Sequence, residues 1–187
     1  LIQMKMNSLS DTAMIEKLYE ASHAGVEIHL LIRGICNLKV GIPGVSDNIT
    51  VHSIVGQLLE HSRIYYFYAD GQENVYLSSA DLMNRNLSRR VELLFPILQD
   101  DIRERIIKIF DIMWHDNVKT RILQPDSTWI RAQLRGVTKL NAQAYFIEHA
   151  VAMGEALRRE EIDQAPEDLH ATHTFIPMTA PKEDDDA

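Results

Sequence analysis

Within the first 32 residues a strand-like run, a helix and a second strand follow one another with little spare chain between them, and that order leaves few folds open. "LIQMKM" reads as extended apolar chain. Met14, Ile15, Leu18 and Tyr19 then fall on one helical stripe, with Ser10 and Asp11 as N-cap candidates and Gly25 as the stop. Residues 26–32, "VEIHLLI", are rich in branched apolar side chains and short enough for a buried strand. Two strands joined through a helix pair in parallel, so the chain is expected to open as a βαβ unit.

Residues 33–48 carry Gly34, Gly41, Pro43, Gly44, Asp47 and Asn48 and read as an irregular connection leaving a strand end, the place where doubly wound sheets bind ligands. "VHSIVGQLLEHS" fits a short helix or an apolar turn, and the pattern does not choose between them. Strands are expected over 63–68 and 75–79, on either side of the turn "ADGQEN", with another over 91–96. Residues 99–114 give the clearest helix: Ile102, Ile106, Ile109, Phe110 and Met113 form one stripe while Arg103, Glu104, Arg105 and Lys108 face water. A late strand over 119–124 and a helix over 141–159 complete the folded part, taken as residues 1–160. Residues 161–187 read as an acidic, disordered tail.

Charge separates along the same boundary. The formal net charge is -8, and from Glu160 onward nine acidic residues face Lys182 alone, so the folded part is neutral overall. No apolar run approaches the roughly 20 residues that cross a bilayer. Cys36 is the only cysteine, which excludes an intrachain disulfide and a cysteine-built zinc site; it reads as a small buried residue in a protein of a reducing compartment, the cytoplasm. The opening strand has no partner upstream and the chain begins on leucine, so a fragment of a longer protein is expected.

The chemistry concentrates in "LEHSRIYYF", where His61 and Arg63 stand at the mouth of an apolar strand, and in Arg85, Arg89 and Arg90 downstream. Arginine offers a planar fork for phosphate oxygens and histidine exchanges protons near neutrality, the pair of functions that phosphoryl chemistry needs. A plain structural account is also open: Arg63 caps a strand, Arg89 and Arg90 pair with nearby acids, and His61 is a surface histidine. His29 reads as a partly buried strand residue. "HATH", His170 to His173, lies in the tail without further ligands and is not read as a metal site, and "LLIRGICNLKVGIPG" lacks the P-loop pattern. The final "EDDDA" reads as solvated.

The motifs "KMNSLSD", "KLYEASHAGVEIHLLIRGIC", "GIPGVSDNI", "SIVGQLLEHSRIYYF" and "VYLSSADLMNRNLSRRVELLFPI", in this order, resemble the C-terminal catalytic domain of type 1 polyphosphate kinases. The resemblance is dense over residues 5–95 and looser to about 159. It implies a phospholipase D-like α/β domain with a mixed, largely parallel sheet flanked by helices. It also implies reversible transfer of the ATP γ-phosphate to an inorganic polyphosphate chain, through a phosphohistidine in the preceding catalytic domain, with Mg²⁺ held mainly by the nucleotide. Carried over by position, Arg33 is an ATP-binding arginine, and His61 contacts ATP and serves as general acid. Arg63, Asn86 and Arg90 are expected as phosphate contacts, and Ser78, Ser79 and Asn84 more weakly. No metal ligand is assigned. ATP or ADP, polyphosphate and the preceding domain are the implied partners, in a homo-oligomer, with no nucleic acid.

Two departures from the wider phospholipase D pattern bear on activity. Arg63 and Tyr68 stand where that pattern has lysine and aspartate, and Ser78-Ser79-Ala80-Asp81 replaces glycine-serine-any-asparagine. The aspartate that would orient the histidine is missing, which argues against phosphodiesterase chemistry. A phospholipase D-type phosphodiesterase or phosphatidyltransferase, and a non-catalytic polyanion-binding module, are the competing readings. On the kinase reading the isolated chain is expected to be inactive.

Overall fold

The computed structural model describes residues 1–132 and 136–164, from 156 onward as helical backbone. Residues 1–146 form one compact unit; from Ile147 the described chain is helix. The elements are β1 (Ile2–Met6), α1 (Thr12–His23), β2 (Ile28–Ile32), β3 (Ile49–Ile54), β4 (Ile64–Ala69), β5 (Gln72–Ser78), α2 (Asn84–Arg89), β6 (Leu94–Pro96), α3 (Asp100–Trp114), β7 (Thr120–Leu123), β8 (Trp129–Arg131) and α4 (Ala142–Gln164).

The opening βαβ unit forms as the residue pattern predicts. Asp11 caps α1 by accepting from the Met14 amide at 3.1 Å, and the chain leaves the helix through Gly25 at a φ of 88°. β1 and β2 pair in parallel, Met4 opposite Leu30 and Met6 opposite Ile32. The full sheet runs β6-β5-β4-β1-β2-β3-β7-β8. It is mixed, as expected, but the parallel pairing is confined to β1-β2-β3, and the strands on either side of that centre add antiparallel.

Side chains of the central strands alternate between two cores. Met4, Met6, Leu30, Ile32 and Val51 meet Ile15 and Leu18 of α1 on one face. Leu31, Ile64, Tyr66 and Val75 meet Ile106, Phe110 and Met113 of α3 on the other. The α3 stripe is therefore right in its centre, while Ile102 at its first turn is 41% exposed.

The structure departs from the sequence expectations at several elements. Residues 51–62, left unsettled between helix and turn, are neither: 51–54 complete β3, a central strand, and the rest is loop; His52 in the strand passes for polar but lies flat on Trp114, ring centroids 3.9 Å apart. The turn after β4 is tighter than "ADGQEN" implied: Asp70 and Gly71 both take positive φ, the geometry of a two-residue hairpin, so the polar residues Gln72, Glu73 and Asn74 belong to β5. The strand expected over 91–96 pairs only at residues 94–96, and the three-residue β8 carries too little pattern to announce itself. Cys36, expected buried, is half-buried, and its thiol is raised by that burial. At the C-terminal end, α4 runs to Gln164, past the boundary expected at 160. The remainder of the proposed tail, including His170, His173 and the acidic end, lies outside the described residues.

Candidate active site

β1, β2 and β3 run the same way, so their carboxyl ends fall on one edge of the sheet, where open α/β sheets take their ligands. The residues leaving those ends are polar. Asn7 follows β1, Arg33 follows β2, and the loop of residues 55–63 after β3 delivers His61 just before β4. Two backbone bonds join the first two exits, from the Arg33 amide to the Met6 carbonyl (3.3 Å) and from the Gly34 amide to the Asn7 carbonyl (2.8 Å).

Asn7 is the hub. Its side-chain oxygen accepts from Arg33 Nε at 3.0 Å, its Nδ2 lies 3.1 Å from His61 Nδ1, and its backbone amide donates to Asp81 Oδ1 at 2.8 Å. One amide thus ties Arg33 to His61. Among the described residues neither terminal nitrogen of Arg33 and not Nε2 of His61 has a protein partner, so both side chains retain donors for a ligand. Arg33 is half-buried and His61 is exposed.

Arg63 is placed differently from the phosphate contact expected of it. It is 9% exposed, and its fork closes on Asp81, Nε to Oδ1 and Nη2 to Oδ2 each at 3.1 Å, while Nη1 donates to the His61 carbonyl at 2.8 Å. Burial pushes the Asp81 carboxyl up, but the Arg63 fork and the Asn7 donors outweigh it and hold the group below the ordinary carboxylate range. Asp81 is therefore a buried anion that holds both Arg63 and Asn7.

The His61 loop is held from beneath as well. Lys5, pointing off β1 toward the α3 face, donates from Nζ to the Ser62 carbonyl at 3.0 Å, and burial lowers its ammonium to about 8 against the weaker pull of Glu60. Gln143, in the first turn of α4, grips Leu58 at both backbone groups, Nε2 to the carbonyl at 2.7 Å and Oε1 from the amide at 2.9 Å.

A second cluster lies at the start of α2. Glu92 accepts from Ser79 Oγ and from Asn86 Nδ2, and these two hydrogen bonds lower its carboxyl. Asn86 is buried, with its Oδ1 lacking a partner. Ser78, which donates to the Leu93 carbonyl, joins Asn86, Arg90, Glu92 and Tyr76 around an open groove of about 760 Å³. Asn84 is exposed at the head of α2, and Tyr68, at the aspartate position of the phospholipase D pattern, is 45% exposed. The expected site residues thus divide: Arg33 and His61 come together through Asn7, Arg63 supports them from within, and Asn86 with Arg90 forms a separate wall.

Sequence reasoning missed Asn7, Asp81, Lys5 and Gln143 as members of the site. Two left a signal: Asn7 is a polar residue directly terminating an apolar strand, and Asp81 stood out as a departure from a motif. The carboxylates nearest His61 do not fit a protein-held magnesium ion. Asp81 is committed to Arg63 and Asn7, and among the described residues no group of three His, Cys, Asp or Glu side chains is placed to share a metal.

A mixed sheet with a parallel centre, whose strand ends present histidine and arginine donors on one edge, is the architecture of a phospholipase D-like α/β domain. The chain belongs to the polyphosphate kinase family: the model for polyphosphate kinase C-terminal domain 2 matches residues 1–143. It is 59% identical over its whole length to a polyphosphate kinase of Lactiplantibacillus plantarum, of which it covers 25%. It is 51% identical over 84% of its length to one of Staphylococcus haemolyticus, covering 22% of that protein. The crystal structure of polyphosphate kinase from Porphyromonas gingivalis superposes with a TM-score of 0.78 at 40% identity, over 83% of this chain and 24% of that one. The chain therefore spans about a quarter of the length of these relatives. No helix among the described residues is long and apolar enough to cross a membrane.

Proposed function

We propose that this chain is the nucleotide-handling part of a polyphosphate kinase, an ATP:polyphosphate phosphotransferase. The observation that carries the reading is the coupling of Arg33 and His61 through one buried amide, with three nitrogens left open toward a ligand. Arg33 presents its terminal nitrogens as a bidentate clamp on phosphate oxygens, and His61 Nε2 meets the oxygen that bridges to the departing ADP. The bond from that oxygen to the γ-phosphorus breaks as a bond forms to a histidine of the preceding domain. In the second step the terminal oxygen of a polyphosphate chain takes the phosphoryl group and frees that histidine. Magnesium enters with the nucleotide as part of the substrate. Location in the cytoplasm and assembly of the complete enzyme into a homo-oligomer belong to the same proposal.

Two features weigh against the competing readings. Asn7, held by Asp81, occupies the orienting role that phospholipase D-type sites give to an aspartate, so the histidine environment differs from that of a phosphodiesterase. Arg63, one of the arginines that a polyanion-binding module would need at its surface, is turned inward. In the complete enzyme, His61→Ala is expected to lower polyphosphate synthesis by about 10² to 10⁴ while leaving thermal unfolding unchanged. Synthesis at the wild-type rate sinks the assignment.

A further inference from the structure

We infer that Asn7 fixes the tautomer of His61, so that the neutral ring carries its proton on Nε2 and presents it outward as a hydrogen-bond donor. The inference deepens the reading of His61 given above and, for its functional part, rests on it.

The orientation of the Asn7 amide is decided by its neighbours rather than by its shape. Arg33 Nε can only donate, so the atom 3.0 Å from it must be the amide oxygen. Asp81, kept ionised by Arg63, can only accept, so the atom 3.5 Å from its Oδ2 must be the amide nitrogen. Both demands agree. A reversed amide would set N–H against N–H and oxygen against carboxylate in a place where Asn7 and Asp81 are each 5% exposed, and water could not relieve the conflict.

With the amide fixed, its NH₂ group faces His61 Nδ1 at 3.1 Å, and Nδ1 must offer a lone pair. In a neutral imidazole the other nitrogen then carries the hydrogen. A ring protonated on both nitrogens would turn Nδ1–H against the same NH₂ group. The neutral ring therefore presents Nε2–H to a ligand, a donor that stabilises charge developing on a phosphate oxygen without a complete proton transfer. This narrows the general-acid role implied by family resemblance. Asn7 touches no reacting atom on this account: it is a positioning residue.

The test reads the tautomer directly. In the chain labelled with nitrogen-15 histidine, long-range proton–nitrogen correlation assigns the protonated nitrogen of each ring, and His61→Gln identifies the signal. The expected wild-type result is an unprotonated Nδ1 and a protonated Nε2. In Asn7→Asp both side-chain oxygens accept, so the proton should move to Nδ1, and transfer by the complete enzyme should fall about a hundredfold. A wild-type ring with its proton on Nδ1 overturns the inference, as does an Asn7→Asp ring that keeps the wild-type tautomer. The wild-type spectrum decides even if that variant fails to fold. A wild-type Nε2–H tautomer alongside full activity of His61→Ala would leave the tautomer assignment standing and sink the functional reading of His61 instead.

Discussion

Lys5 interrupts an apolar strand, and the interruption is legible in "LIQMKM" without its purpose being so: the ammonium reaches the Ser62 carbonyl under the His61 loop. The folded protein holds its proton with a value of about 8 against an ordinary 10.5, chiefly through burial, so between those two pH values the unfolded chain binds more protons. Stability must then rise with pH across that window, by as much as about 3 kcal/mol from this group. Chemical denaturation at pH 8 and pH 10.5 should reveal the rise in the wild type and its loss in Lys5→Met. Equal slopes in both proteins would place the lysine in water. Arg33 and His61 were readable because family motifs carry them. Asn7 and Asp81 were not, since their roles depend on which strand ends the parallel register brings together and on a contact spanning 74 residues.

The loop of residues 55–63 is the element that aims His61, and its course depends on close approach. A Cβ added to Gly56 would come within 2.2 Å of Gln143 Oε1, an atom already committed to the Leu58 amide. Gly56→Ala should displace Gln143, cost about 1–3 kcal/mol in urea unfolding, and lower transfer through a misplaced His61. Wild-type stability with unaltered turnover would mean the loop does not need that grip. At the far edge of the sheet Arg121 and Arg131 face each other across β7 and β8. Like charges in register repel, so Arg131→Glu should raise stability by about 0.2–1 kcal/mol in low salt; a loss of stability would contradict the pairing. The strands that sequence reasoning identified were short runs rich in branched and aromatic residues beside a turn or helix signal, even where Lys5 or His29 interrupts them. β3 escaped because His52 and Ser53 break its run, yet His52 is half-buried against Trp114, on which it stacks, and desolvation there lowers it to about 4.

For the whole molecule, the parallel centre aligns three strand ends, and the antiparallel additions on both sides extend the sheet without disturbing that edge. Lys5, Arg33 and Arg63 gather at that edge although the formal charge of the protein is -8; along the sequence the acidic excess is concentrated from Glu160 onward. The opening βαβ unit, visible in the first 32 residues, was enough to predict an α/β domain; the antiparallel balance of the remainder depended on turns such as Asp70-Gly71, whose geometry sets strand pairing. On the proposed function, Arg33 and His61, joined by Asn7, act on a triphosphate as one unit. A double-mutant cycle in the complete enzyme, with Arg33→Ala and His61→Ala singly and together, measures that unity in kcat/KM for ATP. A coupling of about 1–3 kcal/mol is expected, the double variant being far less impaired than the product of the single losses. Losses that simply multiply would contradict it.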